Sequence, residues 1–242
     1  MNSPGERLAE LRDNLAAVRS RIQQGCAAAG RSSDEITLIA VTKFFPVTDA
    51  ALLAELGVTD LGENRDQDAS VKSAELAELS SVEVRWHFIG RLQSNKARSV
   101  ARYAALVHSV DRQGLADALE DGARRAERPT LDVLVQLSLD AEAGATGRGG
   151  GAAAELMRLA DRIAGSDVLR LAGIMAIAPL EGDPDRAFSR LAEVAQRLRE
   201  NHPAAGIVSA GMSDDLEAAL RHGATHVRIG TALLGRREPQ FR

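Results

Sequence analysis

Hydrophobic residues near the start of the chain recur at alternating steps of three and four positions. The residues with this spacing are Leu8, Leu11, Leu15, Val18 and Ile22. They share one face of a helix, because an α-helix completes a turn about every 3.6 residues. Cys26 falls on the same stripe as a core residue, and Gly30 is a suitable end for the helix. The pattern predicts an N-terminal helix over about residues 5–29.

From residue 36 onward the chain repeats a short apolar run, a turn with Gly, Asn or Ser, and a longer amphipathic stretch. The first run, residues 36–42, is short and rich in β-branched residues, which favours a strand. The other predicted strands are 58–61, 84–89, 106–110, 131–139, 169–177, 206–210 and 225–229. The amphipathic stretches predict helices at about 48–56, 64–79, 93–102, 112–127, 151–165, 184–200 and 214–222.

The alternation of strands and helices predicts the fold class. Strands that alternate with helices are typical of βα units, and strands that are apolar on both faces are typical of a parallel sheet. Eight units in one chain of this length indicate an α/β fold, a (β/α)8 TIM barrel preceded by an extra N-terminal helix. A doubly wound open sheet is the alternative. No linker divides the chain, so we expect one domain over residues 1–242, with the barrel at about 36–235.

Composition and charge narrow the class of function. The 242 residues include 30 Lys+Arg and 34 Asp+Glu, a net charge of -4, which provides no basic surface for nucleic acid. No apolar run reaches the roughly 18–20 residues of a membrane span, and the first residues lack a secretory signal pattern. We therefore expect a cytoplasmic protein that binds neither nucleic acid nor membrane. The single cysteine excludes an internal disulfide.

Lysine is rare in this chain, which has three lysines and 27 arginines. Lys72 and Lys96 lie in polar helical stretches, where we expect solvated surface charges. Lys43 directly follows the first predicted strand, and the working residues of a barrel lie at the carboxyl ends of its strands. A partly buried lysine can lose its proton and form a Schiff base, which arginine cannot do. Position alone leaves open a lysine that reaches solvent or pairs with a carboxylate.

Glycine turns follow the last two predicted strands. Ser209 and Gly211 precede a helix whose expected N-cap is Ser213, and Gly230 and Thr231 follow the eighth strand. Backbone amides at such turns, with two hydroxyl side chains nearby, predict a phosphate-binding site. The loops after the seventh and eighth strands are the usual place for phosphate in a barrel.

Arg228 adds a cation to this predicted site. Strand eight neighbours strand one in a closed barrel, so we expect Arg228 beside Lys43. A lysine that can form a Schiff base, a phosphate cup and an arginine together indicate a phosphorylated carbonyl compound as ligand.

A third glycine-rich tract, residues 143–151, has neither the GxGxxG order nor the GK[ST] ending of phosphate loops, and we expect a mobile loop there.

Short motifs occur in order at the predicted strand ends, between about residues 36 and 235. They are Ala40–Lys43, Gly62–Asn64 with Gln67, Trp86–Gly90 with Leu92–Lys96, Gly173–Ile177, Ser209–Leu216 and Val227–Ala232. This set closely resembles the pyridoxal phosphate homeostasis proteins, the YggS/PROSC family. The departures from the family pattern are Phe44-Phe45, Asp68 and the tract 143–151, and all lie away from the predicted pocket.

The resemblance implies a barrel like the N-terminal domain of alanine racemase, with pyridoxal 5′-phosphate bound covalently at Lys43 as a Schiff base. It implies three phosphate-binding residues, in the turns that also contain Gly211: Ser209, Gly230 and Thr231. It implies three residues that line the ring pocket: Asn64, Met175 and Met212. Arg228 would face the pyridine nitrogen.

The resemblance also implies a role in intracellular pyridoxal phosphate homeostasis, in which the protein buffers the cofactor or delivers it to apo-enzymes without strong catalytic activity. Arg228 beside the ring nitrogen would keep that nitrogen unprotonated and weaken the ring as an electron sink. Alanine racemases also use a tyrosine from the partner subunit, whereas the single tyrosine here, Tyr103, is predicted to be a packing residue.

We therefore expect a protein that is not an enzyme and has no catalytic residues. The exposed side of the first helix shows no second apolar stripe, which favours a monomer. A low-activity amino-acid racemase that uses the same cofactor is one alternative. An aldolase whose Lys43 attacks a sugar phosphate directly, without cofactor, is another.

The histidines and the carboxylates near strand ends receive no catalytic role. His202, His222 and His226 lack an accompanying cluster of ligands, so we expect no metal. His87 belongs to one of the motifs and is expected near the pocket or its loop, whereas His108 is expected to form hydrogen bonds within the barrel rim. The carboxylates are expected to anchor loops or cap helices, and they are Glu63, Asp111 and Asp140.

Overall fold

The computed structural model describes residues 3–140, 149–179 and 181–235 of the chain. Parallel strands form a closed barrel in the order of the sequence, and the last strand pairs with the first. The strands are β1 (Thr37–Val41), β2 (Asp60–Glu63), β3 (Arg85–Phe88), β4 (Ala104–Val110), β5 (Leu131–Leu137), β6 (Leu169–Ala176), β7 (Ile207–Ser209) and β8 (His226–Ile229). The predicted (β/α)8 barrel is confirmed, and the open-sheet alternative is wrong.

Helices cover the outside of the barrel. They are α1 (Pro4–Ala28), α2 (Val47–Glu55), α3 (Asp66–Leu79), α4 (Ala97–Tyr103), α5 (Gln113–Arg125), α6 (Ala153–Ala164), α7 (Pro184–Asn201), α8 (Leu216–Arg221) and α9 (Thr231–Leu234). Short 3-10 turns occur at Ser33–Glu35 and Ser94–Lys96. Among the helices in these described ranges, none combines the length and the apolar character needed to cross a bilayer.

Helix α1 begins with a capping box and packs on the barrel through its predicted stripe. The Ser3 hydroxyl accepts a hydrogen bond from the Glu6 amide, and the Glu6 carboxylate accepts one from the Ser3 amide, which satisfies two free N–H groups of the first turn. The buried stripe contains Leu11, Leu15, Val18, Ile22 and Cys26. It joins the same core cluster as residues of α8, α9, β1 and β8, so the extra helix covers the outside of the β8–β1 seam.

Alternating side chains along the strands divide the barrel into an outer and an inner layer, because successive residues of a strand point to opposite faces. Strand residues that pack outward beneath the helices include Ala40, Leu61, Trp86, Val227 and Ile229. An apolar cluster in the interior consists of Leu106, Leu134, Ala172 and Met175. Polar side chains also lie in the interior, and His87, His108, Ser209 and Arg228 are all buried there.

Helix α8 differs from the sequence prediction at its start. It begins at Leu216 with Asp215 at the N-cap position, so the expectation that Ser213 caps this helix is wrong. The Asp215 carboxylate accepts a hydrogen bond of 2.6 Å from the amide of Met212, which holds the preceding residues in a turn. The Ser213 carbonyl oxygen instead accepts from the Arg21 guanidinium on α1.

Candidate functional site

Lys43 lies at the carboxyl end of β1, at the predicted place. Ile39 pairs in register with Arg228 of β8, and the Arg228 side chain reaches into the barrel to Ser209. Strand β1 ends at Val41, and Lys43 lies two residues further along, in the turn that follows the strand. The chain then turns at Phe44, which has a positive φ of 69°. The Lys43 side chain is half-buried at this end of the barrel.

A second lysine lies behind this strand end, contrary to expectation. Lys72 of α3 is only 8% exposed, and its Nζ donates to the Thr42 carbonyl oxygen at 2.9 Å and to Glu63 Oε1 at 2.5 Å. The Thr42 hydroxyl donates to the same Glu63 oxygen at 2.7 Å. The prediction that Lys72 is a solvated surface charge is therefore wrong. We call Thr42, Glu63 and Lys72 the Lys72 cluster.

The Lys72 cluster fixes the carboxyl ends of β1 and β2, from which Lys43 and Asn64 extend. Glu63 is the last residue of β2, and its role as an anchor agrees with the expectation for this carboxylate. A signal for the cluster was present in the sequence. Lys72 lies three residues after Ala69 and four before Leu76, and these three are the buried positions of α3.

Asn64 directly follows β2 and is half-buried. Its Oδ1 is inaccessible to solvent and has no hydrogen-bond partner among the described residues. The loop after β3 packs closely on it, because a Cβ atom on Gly90 would lie 2.1 Å from the Asn64 carbonyl oxygen. Buried polar atoms in native proteins nearly always have a partner, so this oxygen indicates a donor that a ligand would supply.

Arg228 and Ser209 meet inside the barrel beneath the same mouth. Arg228 is 4% exposed, and its Nη1 donates to Ser209 Oγ at 2.6 Å while its Nη2 donates to the Ala176 carbonyl oxygen at 2.9 Å. Burial lowers the pKa of Arg228 to about 10, which leaves the guanidinium charged at neutral pH. Within the described ranges no carboxylate forms an ion pair with it.

The remaining predicted residues of β6 and β7 lie around this pair. Met175 is fully buried and faces Ser209 in the β6–β7 ladder. Gly211 accepts a hydrogen bond from the Arg228 amide at 2.9 Å and has a φ of 92°. A Cβ atom there would lie 2.7 Å from the Cβ of Ala219, so glycine is needed for both its backbone angle and its close packing. Met212 is exposed at the rim.

Gly230 and Thr231 complete the predicted site after β8. Gly230 occupies the N-cap position of α9, and a Cβ atom on it would contact Val41 of β1 at 3.5 Å. Thr231 begins the helix and is exposed. The structure thus joins Ser209, Gly211 and Arg228 by hydrogen bonds, and it brings the other predicted residues to the same end of the barrel on adjacent strands.

His87 and His108 form a feature that sequence reasoning did not assign. His87 Nε2 lies 2.8 Å from Asp60 Oδ1, and its Nδ1 lies 2.9 Å from His108 Nε2. His108 Nδ1 lies 2.9 Å from Ser209 Oγ, which also accepts from Arg228. We call these five residues the interior polar chain. It runs from the first residue of β2, at the amino end of the barrel, to the last residue of β7, at the carboxyl end.

Burial keeps the histidines of the interior polar chain neutral. Desolvation lowers the pKa of His87, although the hydrogen bond to Asp60 acts in the opposite direction. Desolvation, together with nearby His87 and Arg228, holds the pKa of His108 well below its usual range. His108 was expected to form hydrogen bonds at the rim, but it lies deeper, in the interior.

The other chemical candidates have structural partners. The Tyr103 side chain packs against both large core clusters, its hydroxyl lies 3.5 Å from Asp66 Oδ1, and burial raises the pKa of the phenol. Asp111 pairs with Arg112 at 2.6 Å. Metal-binding groups of three or more His, Cys, Asp or Glu side chains do not occur in the described part of the chain. Most of the predicted mobile loop at 143–151 lies outside the described residues.

Comparison with known proteins shows extended similarity. Residues 7–238 match the family model described as the alanine racemase N-terminal domain. The chain is 46% identical over 246 aligned residues to the pyridoxal phosphate homeostasis protein of Mycobacterium tuberculosis strain H37Rv, and the match covers 96% of this chain and 95% of that protein.

Two solved structures extend the comparison to three dimensions. PipY of Synechococcus elongatus, solved with PLP bound, is 30% identical with a TM-score of 0.80, and the match covers 93% of this chain and 100% of that chain. Alanine racemase of Clostridium difficile, in complex with cycloserine, is 15% identical with a TM-score of 0.71. That match covers 96% of this chain and 61% of the racemase chain, and it shows a shared fold.

Proposed function

The chain belongs to the pyridoxal phosphate homeostasis protein family and contains its alanine racemase N-terminal domain, and from this premise we propose that it binds pyridoxal 5′-phosphate at the carboxyl end of the barrel. The homeostasis role of its relatives fits a protein that holds and releases this cofactor. The Mycobacterium tuberculosis relative is named a pyridoxal phosphate homeostasis protein, and the structure of PipY contains PLP.

Arg228 is the observation that carries the proposal. A buried cation without a carboxylate partner is costly, because removing a charge from water costs several kcal/mol unless other groups compensate it. Arg228 has only a hydroxyl and a carbonyl oxygen as acceptors among the described residues. An electron-rich ligand at the mouth of the barrel would supply the missing acceptor. Asn64 Oδ1, which has no hydrogen-bond partner in the described part of the chain, follows β2 at the same end of the barrel and supports the same conclusion.

Different residues of the chain would bind different parts of the cofactor. Lys43 would hold the cofactor covalently through its ε-amino group. Ser209 and the turns at Gly211, Gly230 and Thr231 would bind the phosphate. Asn64, Met175 and Met212 would line the ring pocket, and Arg228 would donate toward the pyridine nitrogen. When bound, the cofactor supplies an aldehyde carbon that an amine can attack.

We propose that this binding does not lead to strong catalysis. Arg228 keeps its own proton at neutral pH, so it can only donate to a ring nitrogen and would keep that nitrogen unprotonated. Tyr103 is held beside Asp66 among core residues, with a pKa raised by burial, which makes it a poor second acid or base. A cytoplasmic carrier that delivers the cofactor to apo-enzymes fits these properties.

We also propose that the carrier is a single-domain monomer over residues 1–242. The core cluster that contains the apolar stripe of α1 also contains residues of β1, β2, β3 and β8, so the extra helix and the barrel share one core. The exposed face of α1 consists mainly of charged and amide side chains and alanines, and no second stripe of large apolar residues offers a surface to a partner.

Reduction with borohydride after incubation with pyridoxal 5′-phosphate tests the proposal. We expect a yellow protein whose reduced form gains the mass of one cofactor, with peptide mapping placing it on Lys43. The Lys43→Ala variant should gain no mass at this site, whereas the matched Lys96→Ala variant should behave like the parent protein.

Other outcomes separate the alternatives. A colourless protein that gains no mass would contradict cofactor binding, and a Schiff base formed with a sugar phosphate alone would favour the aldolase. Incubation with L- and D-alanine or serine, followed by chiral chromatography, measures racemisation. Turnover at typical enzyme rates, about 1 to 1000 per second, would show that the protein is a racemase instead of a carrier.

A further inference from the structure

The interior polar chain has a direction that follows from its proton count. The Asp60 carboxylate can only accept, so His87 Nε2 carries the proton between them. A neutral His87 then accepts at Nδ1, which requires His108 to donate from Nε2. A neutral His108 accepts at Nδ1, so the donor there is the Ser209 hydroxyl. Arg228 can only donate, and Ser209 Oγ accepts from it.

In this state the Ser209 proton is directed into the barrel toward His108. The hydroxyl therefore offers only oxygen lone pairs to a ligand at the mouth. A phosphate monoester dianion also presents acceptor oxygens, about three of them. Contact between two acceptors is unfavourable, so Ser209 can bind this ligand only if the interior polar chain reverses its direction.

Reversal requires one additional proton. Ser209 would donate to the phosphate, His108 would donate from Nδ1 to Ser209, and His87 would donate from Nδ1 to His108 Nε2. His87 must still donate from Nε2 to Asp60, so it carries protons on both nitrogens and becomes an imidazolium. The N–H bond at His108 Nε2 breaks as one forms at His87 Nδ1. The Ser209 O–H bond breaks as one forms at His108 Nδ1, and a proton from solvent forms the new Ser209 O–H bond.

We propose that binding of a phosphate monoester at Ser209 is coupled to the uptake of one proton by the interior polar chain, with the added charge held by the His87–Asp60 pair. This inference rests on the proposed role of Ser209 in binding the cofactor phosphate. It makes Asp60, His87 and His108 positioning residues for the Ser209 hydroxyl, although they lie below the binding site.

The groups around His87 fit this role. Asp60 faces it from β2, His108 from β4, and His226 from β8 with ring centroids 6.4 Å apart. Arg85 pairs with Asp60 at 3.2 Å. A second ion pair, Asp132–Arg170 at 2.6 Å, lines an open recess of about 480 Å³, and Arg85 and His226 line the same recess. Asp60 is the nearby carboxylate that compensates an imidazolium at His87.

Solvent reaches the interior polar chain at Asp60, at the amino end of the barrel. The Asp60 side chain is 15% exposed. It lines a groove of about 670 Å³ between α1 and the amino ends of β1 and β2. Bulk water at this end can therefore solvate the charge that the His87–Asp60 pair gains, whereas the added proton enters at Ser209, at the other end of the interior polar chain.

Proton uptake makes affinity depend on pH in a defined direction. In the ligand-free protein, burial holds the pKa of His87 below its usual value, whereas a dianion at Ser209 would raise it in the complex. Affinity should therefore be highest below the ligand-free pKa, fall by about tenfold per pH unit between the two values, and level off above the pKa of the complex.

Calorimetry with pyridoxine 5′-phosphate tests the coupling, because this probe has an alcohol in place of the aldehyde and forms no bond with Lys43. Titrations in two buffers of different ionisation enthalpy, at about pH 7.5, count the protons taken up while the phosphate is mainly a dianion. We expect the wild-type protein to take up about one proton for each molecule of probe that binds.

The Asp60→Asn variant should lose this uptake and still bind. The amide introduced by this change can donate from its nitrogen to His87 Nε2, so the interior polar chain can reverse without an added proton. At high pH this variant should bind the probe more tightly than the wild-type protein. The Asp132→Asn variant is the matched control, since it also removes a carboxylate paired with an arginine at the amino end, and it should keep the wild-type uptake.

The His87→Gln variant keeps the test decisive if Asp60→Asn does not fold. Glutamine cannot become an imidazolium, so we expect no uptake and weaker binding. Wild-type uptake near zero, or equal uptake by the wild-type protein and Asp60→Asn, would overturn the inference. If borohydride reduction still places a cofactor on Lys43, such a result leaves the proposed function intact. If neither the probe nor the cofactor binds, the proposed function fails and this inference fails with it.

Discussion

Two buried cations lie near the mouth of the barrel, and their surroundings differ. Lys72 lies outside β1 and β2, where Glu63 provides a carboxylate oxygen at 2.5 Å. Arg228 lies inside the barrel, where its described hydrogen-bond acceptors are the Ser209 hydroxyl and the Ala176 carbonyl oxygen. Both side chains are less than one-tenth exposed, since Lys72 is 8% and Arg228 is 4% exposed.

This difference in partners predicts different roles for the two cations. A buried ion pair whose geometry is good is compensated within the protein, and breaking it leaves one charge without a partner. A buried cation that meets only neutral acceptors is less well compensated, and it gains more from an incoming electron-rich group. The Lys72 cluster therefore holds the strand ends in place, and we expect the guanidinium of Arg228 to gain a further acceptor from a ligand.

The largest expected effect is the loss of stability in the Lys72→Ala variant. This change leaves the Glu63 carboxylate buried without its cation, and one of its oxygens, Oε2, already has no partner among the described residues. Removing one partner of a buried pair costs about 3–5 kcal/mol. We expect the free energy of unfolding, measured by urea denaturation, to fall by this amount.

Two controls separate charge from packing at this site. The Lys96→Ala variant removes a lysine from outside the Lys72 cluster and should change stability by less than about 1 kcal/mol. The double variant Lys72→Met with Glu63→Leu removes both charges, and it should recover most of the loss because no unpaired charge remains. A double variant as unstable as Lys72→Ala would show that the cluster stabilises the protein through packing.

Sequence periodicity predicted the barrel because the hydrophobic patterns that mark its helices and strands are local. The stripe of α1 from Leu11 to Ile22 and the apolar strands appear in short windows of sequence. The rule that strand ends carry function selected Lys43 as a candidate, and its role stays a prediction. The start of α8 was predicted incorrectly because the Asp215 carboxylate competes with Ser213 for control of the turn.

Sequence periodicity could not predict the polar interactions inside the barrel. His108 and Ser209 are 101 residues apart in sequence, and their contact depends on the register of every strand between them. Lys72 is different, because its place between Ala69 and Leu76 on the buried face of α3 was visible as a spacing. Its misassignment came from giving its charge more weight than its position.

The second largest effect is a loss of stability in acid, and it arises from histidines in the barrel. Burial lowers the pKa of His226 from 6.5 to about 4. The unfolded chain takes up a proton below about pH 6.5, whereas the folded protein resists it until about pH 4, so stability is complete above pH 6.5 and declines as the pH falls toward 4. At about 1.4 kcal/mol per pKa unit, His226 alone contributes up to about 3 kcal/mol.

Urea denaturation at several pH values measures this decline. The His226→Gln variant should show a shallower decline between about pH 6.5 and 4 than the wild-type protein. The wild-type protein, measured at the same pH values, is the reference for this comparison. A wild-type stability that stays constant over this range would contradict the low pKa of the buried histidines.

The smallest effect on stability is expected for the Arg228→Met variant. This variant should differ most clearly from Lys72→Ala, because it should weaken cofactor binding and leave stability nearly unchanged. The change leaves Ser209 Oγ and the Ala176 carbonyl oxygen short of a donor, but it also removes a buried charge, so the unfolding free energy of the ligand-free protein should change by less than about 1 kcal/mol. Affinity for pyridoxal 5′-phosphate, followed by absorbance, should fall about ten- to a hundredfold, because charged hydrogen bonds contribute about 1.5–3 kcal/mol.

Arg170→Met is the control for this variant, since Arg170 pairs with Asp132 at the opposite end of the barrel, and it should leave the affinity unchanged. The decisive quantity is the ratio between the two effects of Arg228→Met. A loss of stability of about 3–5 kcal/mol, as expected for Lys72→Ala, would mean that Arg228 is already compensated within the fold. The guanidinium would then have no need of a ligand, and its neutral surroundings would no longer distinguish a binding site from a structural one.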